Sequence, residues 1–334
     1  MNASASSQAA ESPPLPRLSH ARRESIGLAC KPIAEPIPLT AVIVLAGSMR
    51  CAGLLAAVKR SALLLPLSQH TTVLQQWIHR AAEFGRRHPQ VPVRLLLDSP
   101  LPQQSRDDST MPLCCCPSLI IERDPKPYRG TGGLLHDLAE ACDFRGWFLV
   151  LNAAQRLSIP LELIRANLSS VAGDVKLATD ESGLVDGAML VNCGVLREAP
   201  QIGYCDFKEQ VLPALSQRGY GVGVARMPRA CGLPIRSREQ YLRAVVAEQA
   251  CLAQNPQPEP DPAHHNSGDA CGEHWRAGFA VIETGACVDP SAIVHDSVIL
   301  AGAKVARRAA VIRSVVCPGA IVSSGAIVRD AVVN

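Results

Sequence analysis

Two short glycine-containing stretches carry most of the chemistry this sequence offers. Ala41-Val42-Ile43-Val44-Leu45-Ala46 is a run of six apolar residues without polar alternation, the pattern of a strand buried on both faces, and Gly47-Ser48-Met49-Arg50 follows it directly. A buried parallel strand ending in a small-residue loop exposes backbone amides where α/β proteins bind phosphate. Arg50 adds a fixed guanidinium, which holds phosphate without metal. The second stretch, Arg129-Gly130-Thr131-Gly132-Gly133-Leu134, precedes a helical pattern through Cys142. Glycines ahead of a helix let a base or a phosphate come close to the backbone.

Other titratable residues read more plainly. Cys271, His274, His264 and His265 lie in a Pro-rich stretch without zinc-site spacing, which fits a solvated linker rather than a metal centre. Asp98 and Asp124 are expected to cap turns after their strands, and Lys126 to be a solvated loop lysine.

These stretches need a scaffold, and the sequence supplies one. The capping box Thr72 to Gln75 opens a helix whose apolar positions are Val73, Leu74, Trp77, Ile78 and Ala81. Val93 to Asp98, Ser118 to Glu122 and Trp147 to Asn152 read as further strands, with 102–111 a surface loop. A second box, Ser237 to Gln240, starts a helix running to about Leu252. Strands and helices alternate, as in a mostly parallel α/β sheet.

Beyond a Pro-rich linker at 253–278 the chain repeats itself. Gly285, Gly302 and Gly319 are seventeen residues apart, as are Val288, Val305 and Val322, then Ala292, Ala309 and Ala326, then Val294, Val311 and Val328; Ser297, Ser314 and Ala331 complete the register. Small and β-branched residues recurring at about every sixth position give the hexapeptide pattern of a parallel β-helix over 279–334. Val and Ile are expected to point inward, and Ala and Gly to sit at the corners.

In their order along the chain, these motifs resemble the sugar-phosphate nucleotidyltransferase family, whose members join a nucleoside triphosphate to a sugar 1-phosphate and release pyrophosphate. The resemblance covers roughly residues 40–248. Leu45-Ala46-Gly47-Ser48-Met49-Arg50 stands at the family's triphosphate loop, and Lys59-Arg60-Ser61 to Leu67 at its Lys-Pro and apolar run. Gly130-Thr131-Gly132-Gly133-Leu134 stands at its base-binding segment, Val191-Asn192-Cys193-Gly194-Val195 at its sugar-binding strand, Asp206 to Pro213 at its Asp-Phe helix start, and Ile235 to Ala244 at its closing helix. The resemblance implies nucleotide contacts from Ala46, Gly47, Ser48, Arg50, Gly130, Thr131, Gly132 and Asn152, and sugar contacts from Asn192 and Gly194. The repeats are similar to left-handed β-helix domains, which often follow such domains and support oligomerisation or acyl transfer; the handedness comes from that similarity alone. Acyl transfer wants a catalytic His, and His295, the single one in the repeats, is expected to be a surface residue.

The chain departs from the family where the metal would bind. The family's strand-end Asn-Gly-Asp reads Asn152-Ala153-Ala154-Gln155 here, and its second metal carboxylate falls on Pro234. The triphosphate loop also lacks the Gly-Thr ahead of its Arg. A divalent ion contributes several kcal/mol to such phosphoryl chemistry, so losing both ligands removes several orders of magnitude in rate. Asp186 and Asp206 do not fall at the matching strand end. No catalytic or metal-ligating residue is assigned. Magnesium enters only if the chain is an active transferase with rearranged ligands, the alternative to a degenerate member that binds nucleotide or nucleotide sugar; a purely structural oligomer is the third reading.

Composition bounds the rest. With 334 residues, 47% hydrophobic and 19% charged, the chain can bury a substantial core. A net charge of +3 without a dense basic block argues against nucleic acid, and no apolar run is long enough for a membrane span. Thirteen cysteines in apolar segments suit buried thiols in a reducing cytoplasm. Residues 1–38 read as a disordered leader and 39–252 as the α/β, Rossmann-like nucleotidyltransferase domain with a mostly parallel sheet. The β-helix is expected to make the chain a homo-oligomer, since its open end would leave strand edges unpaired, or to pair it with an active paralogue.

Overall fold

A computed structural model describes residues 37–46, 53–97, 119–124, 126, 128–254 and 278–334. The expected leader, apart from 37 and 38, and the expected linker from 255 to 277 lie outside these residues. β1 (Leu39–Leu45) is buried from both sides because its side chains alternate between two cores. Val42 and Val44 join one apolar cluster, while Ala41, Ile43 and Leu45 join the other. That is why the run shows no polar alternation.

After β1 the chain forms α1 (Leu54–Val58) and then a 3₁₀ turn at Ala62–Leu64, which fill the stretch between the first strand and the capped helix. α2 (Val73–Arg87) opens on the Thr72 and Gln75 capping box, with both reciprocal hydrogen bonds formed. β2 (Val93–Leu97), β3 (Leu119–Arg123), α3 (Gly130–Glu140) and β4 (Trp147–Asn152) follow. Next come β5 (Gln155–Leu157), α4 (Leu161–Ser169), β6 (Val175–Thr179) and β7 (Val185–Asn192). The body ends with α5 (Leu212–Gln217), β8 (Val222–Arg226), β9 (Gly232–Pro234) and α6 (Arg238–Gln254).

The main sheet has the order β3-β2-β1-β4-β7-β6-β8. β3, β2, β1 and β4 are mutually parallel; β7 alone runs against both its neighbours, and β6 and β8 are parallel to one another. β5 and β9 form a separate antiparallel ribbon in which Gln155 faces Pro234.

The ribbon is held by buried polar groups. Arg156 Nε donates to Glu248 Oε2 at 2.8 Å, while Gln76 accepts from the Leu157 amide at 2.9 Å. One network therefore ties α2, β5 and α6.

From residue 280 the chain lays down β10 (Ala280–Ile282), β11 (Cys287–Val288), β12 (Ile293–His295), β13 (Ser297–Ile299) and β14 (Lys304–Val305). β15 (Ala310–Ile312), β16 (Val315–Val316), β17 (Ile321–Val322), β18 (Ile327–Arg329) and β19 (Val332–Val333) complete it. They form three parallel ladders, β10-β13-β16-β19, β11-β14-β17 and β12-β15-β18. Each residue pairs with the one seventeen positions on, so the sequence period is the pairing register. Gly285, Gly302 and Gly319 turn corners with φ of 90°, 81° and 80°.

The serine column has a physical reason. Ser297 Oγ accepts from the Ser314 amide at 3.0 Å, and Ser314 Oγ accepts from the Ala331 amide at 3.1 Å. Both serines are fully buried.

Not every apolar side chain of the ladders points inward, as the repeat suggested. Val281, Val298 and Val315 belong to the same core as Val42 and Val44 of β1, so the first ladder packs against the α/β body. Ile293, Ile321 and Ile327 are exposed instead. Arg60 grips Glu283 through two hydrogen bonds of 2.9 and 2.7 Å, and Glu283 also accepts from the Ala301 amide at 2.8 Å. Charge-assisted, two-pronged contacts of this kind contribute more than ordinary hydrogen bonds. Glu283→Ala is expected to lower stability by about 1–3 kcal/mol, read as a shift in the denaturant midpoint; an unchanged midpoint would mean that the pair does not couple the ladders to the body. Among the described residues, no helix is long and apolar enough to cross a membrane.

Candidate functional site

The carboxyl ends of the parallel strands lie on one edge of the sheet, the usual place for a ligand in an open α/β fold. Leu45 aligns with Leu96 on one side and with Asn152 on the other. The Ala46 amide donates to Leu96 O at 2.9 Å, and the Ala153 amide to Leu45 O at 2.8 Å. Ala46 and Asn152 thus stand side by side. Gly47, Ser48 and Arg50 lie outside the described residues, as does Asp98.

α3 begins on the same edge, since the chain leaves β3 there and the Asp124 amide donates to Leu97 O at 2.8 Å. Asp124 caps its turn by accepting from the Lys126 amide at 2.9 Å. Lys126 is exposed, with its ammonium 3.3 Å from Asp137.

The glycines at the start of α3 serve first a contact within the chain. The Gly132 amide donates to Cys205 O at 2.8 Å, and the Cys205 amide to Arg129 O at 2.8 Å. A Cβ on Gly130, whose φ is +74°, would stand 2.5 Å from that Cys205 oxygen. Thr131 Oγ1 donates to Asp206 Oδ2 at 3.1 Å and accepts from the Phe207 amide at 2.9 Å. Asp206 Oδ1 in turn accepts from the Lys208 and Glu209 amides at 2.8 and 3.0 Å, capping the π-helical turn Phe207–Val211. Asp206 therefore does begin a helical turn, and its carboxylate is occupied in doing so.

Asn192 and Gly194 are elsewhere. β7 runs against β4, pairing Asn192 with Trp147 at the amino end of β4, whereas Asn152 ends the same strand. Five residues of strand separate the two levels, roughly 16 Å. Asn192 Oδ1 accepts from the Gly194 amide at 2.9 Å, forming the start of the 3₁₀ turn Cys193–Glu198. The structure brings Ala46, Asn152, Gly130, Thr131 and Gly132 to one edge, and it does not bring Asn192 or Gly194 there.

The two positions at which the resemblance implies metal carboxylates are neighbours in space. Gln155, next in the chain to Asn152-Ala153-Ala154, pairs across the ribbon with Pro234, and the Ile235 amide donates to Ala154 O at 2.9 Å. The Asn152 carboxamide accepts from the Ala154 amide at 2.7 Å. Neither position carries a carboxylate. Asp186 lies beside the ribbon and accepts from the Cys231 amide. Burial pushes its carboxyl above the usual range, and burial together with Asp186 raises the Cys231 thiol.

On α3, His136, Asp137 and Glu140 bring their ligand atoms within 4.8 Å of one another. Asp137, however, already meets the buried Arg129 at 2.8 Å as well as Lys126. Two cations on the central carboxylate oppose a third.

Lys208 and Arg236 lie on segments anchored near this edge, and the sequence alone assigns them nothing. Both sit inside quoted motifs, two residues after Asp206 and one after Ile235.

No family model matches this chain, and no curated protein matches it. Among solved structures, it is similar to a homologue of Mycobacterium tuberculosis Rv0371c from Mycobacterium sp. strain JC1, with 14% identity and a TM-score of 0.42 over 64% of this chain and 98% of that one. It is also similar to HddC from Yersinia pseudotuberculosis, with 13% identity and a TM-score of 0.43 over 62% of this chain and 98% of that one.

Proposed function

We propose that this chain is a degenerate, non-catalytic relative of the sugar-phosphate nucleotidyltransferases that binds a nucleotide or nucleotide sugar at the carboxyl edge of its sheet. One observation carries the reading. The ends of β1 and β4 and the glycine start of α3 share that edge, while Ala154 and Pro234 occupy the two positions where metal carboxylates would be needed. A fold that keeps the binding edge but lacks the groups that hold magnesium retains recognition and loses turnover. The seventeen-residue ladders fit a short left-handed β-helix, and the exposed Ile293, Ile321 and Ile327 fit a role in joining copies of the chain or an active paralogue.

Thermal unfolding against nucleoside triphosphates and nucleotide sugars, with and without magnesium, tests this. A ligand at 100 times its dissociation constant adds about 2.7 kcal/mol to stability. The expected result is a raised Tm that magnesium does not enhance, with no pyrophosphate released on adding a sugar 1-phosphate. Release of pyrophosphate would establish the active-transferase reading with rearranged ligands, and a melt that no nucleotide moves would remove nucleotide binding.

A further inference from the structure

β5 carries a side chain whose polar end is left over by the fold. Gln155 is 3% exposed, and its Nε2 is buried without a hydrogen-bond partner among the described residues. The next two residues of the strand are satisfied, Arg156 by Glu248 and the Leu157 amide by Gln76. A buried amide left unpaired costs stability, so its persistence calls for a physical reason.

The Gln155 carboxamide lies between two glycines. On one side it rests against Gly232, where a Cβ would stand 2.7 Å from Oε1. On the other it faces Gly187, where a Cβ would stand 3.6 Å from Oε1 and 3.9 Å from the Asn152 Cβ. Apart from the chain neighbours of Gly187, no other heavy atom of the described residues comes within 4 Å of that point, so the space is clear for a ligand atom. Ala188 pairs with Leu151, which sets Gly187 beside the carboxyl end of β4. Gly187 and Asn152 are both half-buried. A notch therefore opens at the carboxyl edge, with Gly187 as its floor and Asn152 and Gln155 as its walls.

The groups around the notch are neutral. Asn152 Oδ1 is taken by the Ala154 amide at 2.7 Å, so what that side chain has left to offer is its Nδ2 donor. Gln155 brings both a donor and an acceptor. Asp186, the residue before Gly187, accepts from the Cys231 amide next to Gly232, and a carboxylate there opposes a phosphate. A hydroxyl group, which accepts from one carboxamide and donates to the other without bringing charge, suits this set.

We infer that Gln155 and Asn152 form a notch over Gly187 that binds sugar hydroxyls of the ligand, those of a ribose or of the pyranose in a nucleotide sugar; this rests on, and narrows, the nucleotide-binding reading above. The notch offers at the carboxyl edge what Asn192 and Gly194 do not, since Asn192 pairs at the amino end of β4.

Titration calorimetry on the full chain tests the notch, with UDP-glucose, ADP-glucose and GDP-mannose, the matching nucleoside diphosphates, and free glucose and mannose as probes. Gln155→Leu keeps the bulk of the side chain and removes its polar end. It is expected to weaken nucleotide-sugar binding about tenfold while the unliganded Tm holds or rises, because no internal bond is lost. Gly187→Ala sets a methyl group in the notch and is expected to weaken binding at least as much. Gly183→Ala, also left-handed at φ +85° but with nothing within 4 Å of its Cβ, is expected to leave affinity unchanged. Weakening confined to the nucleotide sugars assigns the notch to the pyranose, and equal weakening of the diphosphates assigns it to the ribose; either result supports it. Nucleotide-sugar affinity that survives both Gln155→Leu and Gly187→Ala overturns the notch and leaves the nucleotide reading standing. A Gln155→Leu chain that melts well below the wild type also overturns it, because the amide would then serve the fold. Binding of a free hexose that depends on Gln155, where no nucleotide binds, supports the notch and removes the nucleotide reading. A wild-type chain that binds none of the probes overturns both.

Discussion

Glu248→Ala is expected to lower the stability of this protein by about 3–5 kcal/mol, because it strands the Arg156 guanidinium in the core. Arg156 and Glu248 are only 6% and 8% exposed, and their contact of 2.8 Å joins residues 92 apart in sequence. Removing the carboxylate leaves a buried charge that neither Gln76 nor a backbone carbonyl neutralises, whereas removing both charges does not. Glu248→Leu combined with Arg156→Met should therefore recover most of the loss. Urea unfolding of the single and double variants measures this directly through the midpoint and the coupling energy. A double variant as unstable as Glu248→Ala alone would show that the network contributes through packing rather than charge. The consequence reaches the candidate site, since β5 carries Gln155 opposite Pro234 of β9.

This pair also shows where the sequence stops being legible. Nothing near Arg156 or near Glu248 announces the other, because the contact is made by the return of α6 across the ribbon. Local patterns fared better where one element determines its own burial. The unbroken run of β1 reflects two cores, the Thr72 and Gln75 box forms as its residue types require, and the seventeen-residue period survives as strand register. In the ladders the period was readable but the facing was not. Val281, Val298 and Val315 look like interior residues of the repeat, yet they pack on the α/β body, and only the body's position decides this. The corners hold a second column that composition would not suggest, Asp296, Arg313 and Asp330, all with φ near +50°. Asp tolerates that backbone because its short side chain can bond locally; Arg313 gains an ion pair with Asp330 at 2.8 Å instead.

The candidate site divides in the same way. Ala46 and Asn152 were readable as neighbours because both end parallel strands, and adjacent parallel strands share a carboxyl edge. Asn192 was matched by motif, but its level in the sheet follows from β7 being antiparallel, which no residue near it encodes.

Gly130→Ala probes how closely α3 approaches the Cys205 segment. A methyl group there would meet the Cys205 carbonyl oxygen at 2.5 Å, its carbon at 2.9 Å and the Tyr204 ring at 3.0 Å, in a backbone with φ of +74°. The left-handed conformation alone costs an alanine about 1 kcal/mol. The clash adds to it, because Cys205 cannot retreat without breaking its bonds to Arg129 and Gly132. Gly130→Ala is therefore expected to destabilise by about 3 kcal/mol or more. Gly203 supplies the control. Its φ is +86°, but a Cβ there would meet nothing within 4 Å, so Gly203→Ala should show the conformational cost of about 1 kcal/mol without the clash. Thermal melts of the two variants separate the terms: a larger loss in Gly130→Ala measures the clash with Cys205, and equal losses of stability would mean that the approach of α3 to Cys205 is not held.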